Sequence, residues 1–233
     1  VSVFLSENIR FLLGFPFSIT IFFDNKILCF DSEGINLQIT KQYPISITNQ
    51  GDIVFMKEPG NPFIVTHDGT IGRTVDQTKW EYVDSNGETF VKRKNRKGRL
   101  TYKKVDRPHS SYYDGSTRLK TMIRPDGINY VINENNARII NFINNDLKII
   151  QDSKQIEFHF LQFPAILYSI EDQSFTFNID NFNFRFMNDF AQITTDEFSI
   201  LYENPSISFV CHRNDCELYF TETSAEFKSG TNV

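Results

Sequence analysis

Alanine and leucine are scarce in this chain, at 4 and 12 of 233 residues. In their place stand 24 Phe, 26 Ile and 21 Asn. Helices favour Ala and Leu, whereas pleated surfaces favour Ile, Phe, Tyr and Thr, so a helical bundle is excluded and a strand-rich fold expected. Cysteine is also sparse: Cys29, Cys211 and Cys216 make an odd count that implies no disulfide framework and fits a reducing, cytoplasmic compartment. No long apolar run is present. The longest uncharged stretch, Phe11 to Phe23, is too short to span a bilayer, contains Gly14 and Pro16, and meets no small-residue cleavage site before Asp24. No membrane segment is expected. A start at Val1 reads as a processed chain or a fragment of a longer one. The formal net charge of −5 gives no reason to expect nucleic-acid binding by the chain as a whole.

Turn-forming clusters, in contrast, are abundant and regular. They fall at Asp24-Asn25, Glu33-Gly34, Gln50-Gly51, Pro59-Gly60, Asp68-Gly69, Asn86-Gly87, Lys97-Gly98, Asp114-Gly115 and Asp126-Gly127. They continue at Asn135-Asn136, Asn144-Asn145, Asp152-Ser153, Glu171-Asp172, Asp180-Asn181, Asn188-Asp189, Thr195-Asp196, Asn204-Pro205 and Asn214-Asp215. Tight hairpin turns need positive φ, which Gly accepts freely and Asn tolerates. A series at this spacing predicts short strands linked by hairpins.

Between the turns, apolar residues alternate at period two. Ile156, Phe158 and Phe160 share one face, with Glu157 and His159 on the other. Phe175, Phe177 and Ile179 repeat the pattern, as do Phe182, Phe184 and Phe186 around Asn183 and Arg185. Such triplets read first as a packed β core, and second as an aromatic face that docks on a partner, which makes Phe182, Phe184 and Phe186 candidate interaction residues. The best helical spacing is Ser6 to Leu13, through Ile9, Leu12 and Leu13.

No phosphate-binding glycine loop, nucleophile elbow or metalloprotease helix is present. Cys211, His212 and Cys216 could supply three zinc ligands, but a structural zinc wants four and His159 lies far upstream, so no metal or cofactor is expected. His67 precedes a turn and His109 follows Pro108, neither beside a Ser or Cys that it could activate. Carboxylates are scattered singly around turns. An enzyme, including a β-rich hydrolase, is not expected.

Charge is concentrated in one place. Lys92, Arg93, Lys94, Arg96, Lys97 and Arg99 surround Gly98, followed by Lys103, Lys104 and Arg107, with Asp106 the lone acid from 92 to 107. A hairpin with its apex at Gly98 would carry a strongly positive tip able to attract an acidic neighbour, such as a tubulin tail, despite the net charge. The alternative is a hairpin whose lysines keep it soluble and guard it against edge pairing. Only Tyr102 lies inside the stretch to stack on bases, so nucleic acid is the weaker candidate.

Two features together carry a family resemblance. One is the run of strand pairs broken at Val65-Thr66-His67-Asp68-Gly69-Thr70, Asp84-Ser85-Asn86-Gly87, Tyr113-Asp114-Gly115-Ser116 and Arg124-Pro125-Asp126-Gly127. The other is Phe163-Pro164-Ala165-Ile166-Leu167-Tyr168-Ser169-Ile170-Glu171-Asp172 and the short strands after it, with Trp80-Glu81-Tyr82-Val83 as a further match. This resembles the C-terminal β-repeat region of the sperm-associated antigen seventeen (PF-six) family, scaffold proteins of the central-pair apparatus in motile cilia and flagella. The resemblance covers roughly residues 30 to 220 as pattern rather than identity, and Asn145, Asn181 and Asn188 stand where the family tends to place Gly. The rhythm also resembles the glycine-rich repeat sheet of centriolar assembly proteins, a thin sheet exposed on both faces. The resemblance implies an assembly role on the axoneme, protein partners from the central pair, and no catalytic residues.

The expectation is thus an all-β antiparallel meander, either one extended repeat sheet or two packed sheets. Residues 1–155 would form a hairpin-repeat region, 156–220 a Phe-rich meander, and 221–233 a frayed tail. The expected function is a non-enzymatic scaffold for protein–protein assembly. The rival is a ligand- or carbohydrate-binding β-sandwich using Trp80, Tyr112 and Tyr113 in a concave aromatic patch.

Overall fold

The computed structural model describes residues 2–229 apart from 5–8, 15–16, 25, 40–43, 59–60, 77–78, 85–87, 95–96, 98, 106–109, 124–127, 136, 143–146, 204–205, 213–215 and 222–223. Twelve strands form the first sheet: β1 (Ser2–Phe4), β2 (Ile9–Gly14), β3 (Ser18–Phe23), β4 (Lys26–Asp31), β5 (Gly34–Ile39), β6 (Ile45–Thr48), β7 (Ile53–Glu58), β8 (Asn61–Val65), β9 (Ile71–Asp76), β10 (Lys79–Val83), β11 (Thr89–Lys94) and β12 (Leu100–Lys104). Fourteen form the second: β13 (Ser110–Asp114), β14 (Leu119–Ile123), β15 (Asn129–Ile132), β16 (Arg138–Asn141), β17 (Leu147–Gln151), β18 (Gln155–Phe160), β19 (Phe163–Ser169), β20 (Ser174–Ile179), β21 (Phe182–Met187), β22 (Phe190–Thr194), β23 (Phe198–Glu203), β24 (Ser206–Cys211), β25 (Cys216–Phe220) and β26 (Ala225–Ser229). Each strand pairs antiparallel with the next, and sheet order equals chain order in both. Among the described residues there is no helix.

The turn clusters that lie wholly among the described residues, from Glu33-Gly34 to Thr195-Asp196, fall at reversals between paired strands. The tightest reversals are two-residue hairpins. At one of these, Ile179 pairs with Phe182 and Asp180 takes φ 53°; at another, Phe23 pairs with Lys26 and Asp24 takes φ 50°. Positive φ is thus met by Asp as well as Gly, since Asp tolerates the left-handed region better than most residues.

One face of the ribbon is apolar, and the second sheet folds back to cover that of the first. Phe30 of β4 stacks on Phe186 of β21 at 4.7 Å between centroids and meets Phe175 of β20 edge-on at 6.2 Å. Phe17, between β2 and β3, lies 4.8 Å from Tyr202 of β23, whose hydroxyl donates to the Gly14 carbonyl at 2.6 Å. Tyr168 of β19 donates to the Asn49 carbonyl at 2.9 Å, and burial, then the Asp52 charge, raises its hydroxyl pKa and keeps the donor proton in place. Its ring lies over Gly51 (φ 82°), where a Cβ would come within 2.6 Å of it. Farther along, Phe142, just past β16, packs edge-on against Phe55 of β7 and Phe63 of β8, and Arg138 reaches the Asp68 carbonyl.

Strands equally distant from the 105–109 connection therefore face each other. By that count β1 lies opposite β24, and β25 and β26 reach past the first sheet. Burial agrees. The core runs from Ile9 to Val83 in the first sheet and from Met122 to Ile207 in the second, while Phe227 of β26 is 66% exposed.

Several expectations are corrected. The part of Ser6 to Leu13 that is described, from Ile9, is strand β2 paired with both neighbours, because in this Phe/Ile-rich context sheet burial overrides a weak helical spacing. Residue 155 does not divide the chain: it opens β18, which hairpins onto β17 inside the second sheet, and the change of sheet comes between Lys104 and Ser110. Residues 225–229, placed in the frayed tail, are strand β26 in full register with β25.

Phe186 is fully buried at the centre of the cross-sheet aromatic cluster. Replacing it with Ala should cost about 3–5 kcal/mol, the range for emptying a buried Phe site. Chemical denaturation beside Arg185→Ala, on the opposite face of β21, checks this: the Arg185 variant should unfold within about 0.5 kcal/mol of the parent.

Candidate interaction surface

At the fold-back the core stops before the sheets do. In β11 and β12 the register continues the core-facing side through Thr89, Val91 and Arg93, then Thr101 and Lys103. Thr89 and Val91 are buried, but Arg93, Thr101 and Lys103 are exposed. In the second sheet the same side runs through Met122 and Lys120 of β14 to Tyr113 of β13. Met122 is buried, whereas Lys120 and Tyr113 are exposed, the latter 63%. Core-facing positions are therefore solvent-exposed at this end of both sheets, which we term the mouth. Arg93 and Lys103 form the lip of the first sheet, and Lys120 and Tyr113 that of the second. The link from Lys104 to Ser110 spans at most about 21 Å, which limits how far the lips part.

Deeper on the same side sits a carboxylate, Glu81 of β10, only 1% exposed, with Arg73 of β9 at 3.4 Å. A buried carboxylate without a cation would be costly, so Arg73 holds the charge balance where core gives way to mouth. The outer face of the same strands is a ladder of aromatics and one lysine. Trp80 and Tyr82 stack at 6.0 Å, and Lys92 Nζ lies 6.0 Å from the Tyr82 ring and 5.5 Å from that of Tyr102. Gly72 leaves room for the Tyr82 ring, since a Cβ there would sit 2.9 Å from it.

Among the described residues, β12 and β13 are the end strands of their sheets, each with a single strand neighbour. Tyr102, Tyr112 and Tyr113 are the exposed aromatics of these two strands.

The turn after β13 is tightly held. Asp114 accepts hydrogen bonds from the Ser116 hydroxyl at 2.7 Å, the Ser116 amide at 2.9 Å and the Thr117 hydroxyl at 2.8 Å. These bonds, the Ser116 hydroxyl first, lower its pKa to about 2.

The expected interaction residues divide sharply. Phe182, Phe184 and Phe186 are corrected: all three are buried in the core, Phe184 stacked on Phe177, Phe186 on Phe30 and Phe182 tilted against Phe198, so no partner reaches them. Of the basic hairpin, Arg93, Lys97 and Arg99 are exposed, and Lys92 is half-buried over its tyrosines. Lys94 ends β11, while Arg96 and the expected apex Gly98 lie outside the described residues, as does His109. Tyr112 and Tyr113 point to opposite faces of β13, and Trp80 packs on Tyr82, so the three do not form one concave aromatic patch. Cys211 and Cys216 meet across the β24–β25 hairpin, but no group of three or more metal-ligating side chains converges among the described residues. Lys120 was missed as a site residue, and Tyr113 was expected only in the rival aromatic patch. Their signal was available: they occupy core-facing register positions with side chains unsuited to a core.

No family model and no curated protein matches the chain. Among solved structures, the chain is similar to the TCP10 domain of Danio rerio CPAP, solved in complex with a peptide of STIL. The match covers 78% of this chain and 98% of that one, at 13% identity and a TM-score of 0.33. A likeness at that level assigns no fold, partner or site to this chain.

The Asp114 carboxyl is ionised in the folded turn at pH values where a free Asp is half protonated. Its pKa is lowered on folding, so its contribution is complete above about pH 4 and is lost as pH falls through about 2. Carboxyl NMR should give an Asp114 midpoint near 2 in the parent chain, rising toward the ordinary aspartate value in a Ser116→Ala/Thr117→Val variant.

Proposed function

We propose that this chain is a non-enzymatic assembly module whose mouth at the fold-back end receives an acidic segment of another protein. The observation that carries this reading is the placement of exposed Arg93, Lys103, Lys120 and Tyr113 on core-facing positions of both sheets, at the sheets' end strands. A fold that only needed stability would bury apolar residues there. Cations with an intervening tyrosine instead suit an extended carboxylate-rich peptide, with β12 or β13 pairing to its main chain and the cations to its side chains. The outer ladder of Trp80, Tyr82, Lys92 and Tyr102 extends the same surface around the edge. For the setting, the resemblance in strand rhythm to the sperm-associated antigen seventeen family supports the central apparatus of motile cilia, with tubulin tails or central-pair proteins as partners.

Fluorescence anisotropy with a labelled polyglutamate peptide tests the reading. The parent chain should bind, with affinity falling as salt is raised, and Arg93→Glu/Lys103→Glu should weaken binding about tenfold or more with unchanged circular dichroism. Equal binding by parent and variant, or none by the parent at low salt, would overturn the assignment of the mouth.

A further inference from the structure

The far end of the molecule carries a second feature. Cys211 closes β24 and Cys216 opens β25, and the two are direct cross-strand partners in an antiparallel register. Residues so paired stand about 4.5 or 5.5 Å apart at Cα, with side chains on the same face, and both spacings lie inside the range that a disulfide accepts. All three cysteines of the chain are thiols, and Cys211 and Cys216 are half-buried, within reach of a small oxidant. Cys29 differs. It lies in β4 between Thr20 and Asn36, with its sulfur 3.6 Å from the Thr20 hydroxyl and no cysteine opposite.

The surroundings give a bridge something to do. The face that holds the pair continues the core through Phe198 and Phe209, which stack at 5.2 Å, to Leu218 and Phe227. Here the first sheet has ended, so β25 and β26 are held by their strand ladder through β24, without a facing sheet. A covalent tie at the turn end of the β24–β25 hairpin would act where cross-sheet packing is absent.

We propose that Cys211 and Cys216 form a reversible cross-strand disulfide that staples the two overhanging strands to the sandwich. One cysteine thiolate attacks a low-molecular-weight disulfide, releasing one thiol and forming a mixed disulfide. The other thiolate attacks the protein-side sulfur and expels the second thiol. The protein loses two electrons and two protons, and the oxidant is reduced to two thiols. Bridged, β25 is locked to β24 in register beside the turn; reduced, only the chain through 212–215 and the strand ladder hold it, and the ladder opens more readily to expose the β24 edge to another strand.

The test uses the whole chain under native conditions with glutathione disulfide. Titratable thiols should fall from three to one, the survivor being Cys29, with an intact-mass loss of two hydrogens and a Cys211–Cys216 linked peptide, all reversed by dithiothreitol. Hydrogen exchange in β25 and β26 should slow in the oxidised form. Cys216→Ser should retain a glutathione adduct at Cys211, because no second thiol is present to resolve it. Persistence of all three thiols, a stable adduct on either cysteine of the parent, or linkage through Cys29 or between two chains would each overturn the proposal.

Discussion

A meander in which each strand bonds only to its chain neighbours has no way to bury a face by itself. Its backbone is satisfied hairpin by hairpin, yet every second side chain on one side is apolar and needs a cover. The cross-sheet aromatic cluster, Phe30 against Phe175 and Phe186 and Phe17 against Tyr202, supplies that cover and turns a flat ribbon into a double layer. Polar ties at the rim, from Tyr168 to Asn49 and Tyr202 to Gly14, then fix which strand lies over which. Everything placed at the ends of the molecule follows from that registration.

Because the ribbon doubles back on itself, its two ends differ in kind. The fold-back end has an edge from each sheet side by side and a short link that keeps them together. The opposite end is a step, where fourteen strands outrun twelve. Charge and aromatic exposure collect at the first, while at the second an apolar strip runs out past its cover. The absence of closure, which would be a liability in an isolated sheet, is what makes both ends available for contact.

The turns were legible because positive φ and hairpin geometry are demands on single residues, and Asp-Gly, Asn-Gly and Asn-Asn pairs announce them locally. Reversals without such residues were not, as at Leu161-Gln162, where no Gly, Asn or Asp marks the turn between Phe160 and Phe163. Alternation showed which residues share a face, and so identified Phe182, Phe184 and Phe186 as a set. Whether that set is core or interface depends on what lies across from it, at Phe30, more than 150 positions earlier in the chain; no local pattern encodes that distance. For the same reason the basic stretch was visible as charge, whereas its place at the same end of the sheets as Tyr113 and Lys120 emerges only once the fold-back is known. A local helical spacing at Ile9 to Leu13 misled because sheet burial outweighs it.

The claim on which all of this rests is the fold-back itself, and small-angle scattering from the isolated chain measures it most directly. Twelve to fourteen strands at the usual separation make a slab about 60–70 Å long in double layer, whereas the same strands in one open sheet would extend to about 125 Å. A longest dimension near the first value, with a cross-section two sheets thick, is the result that the account predicts. A dimension near the second, with the cross-section of a single sheet, would contradict it and would leave the phenylalanine faces open to partners.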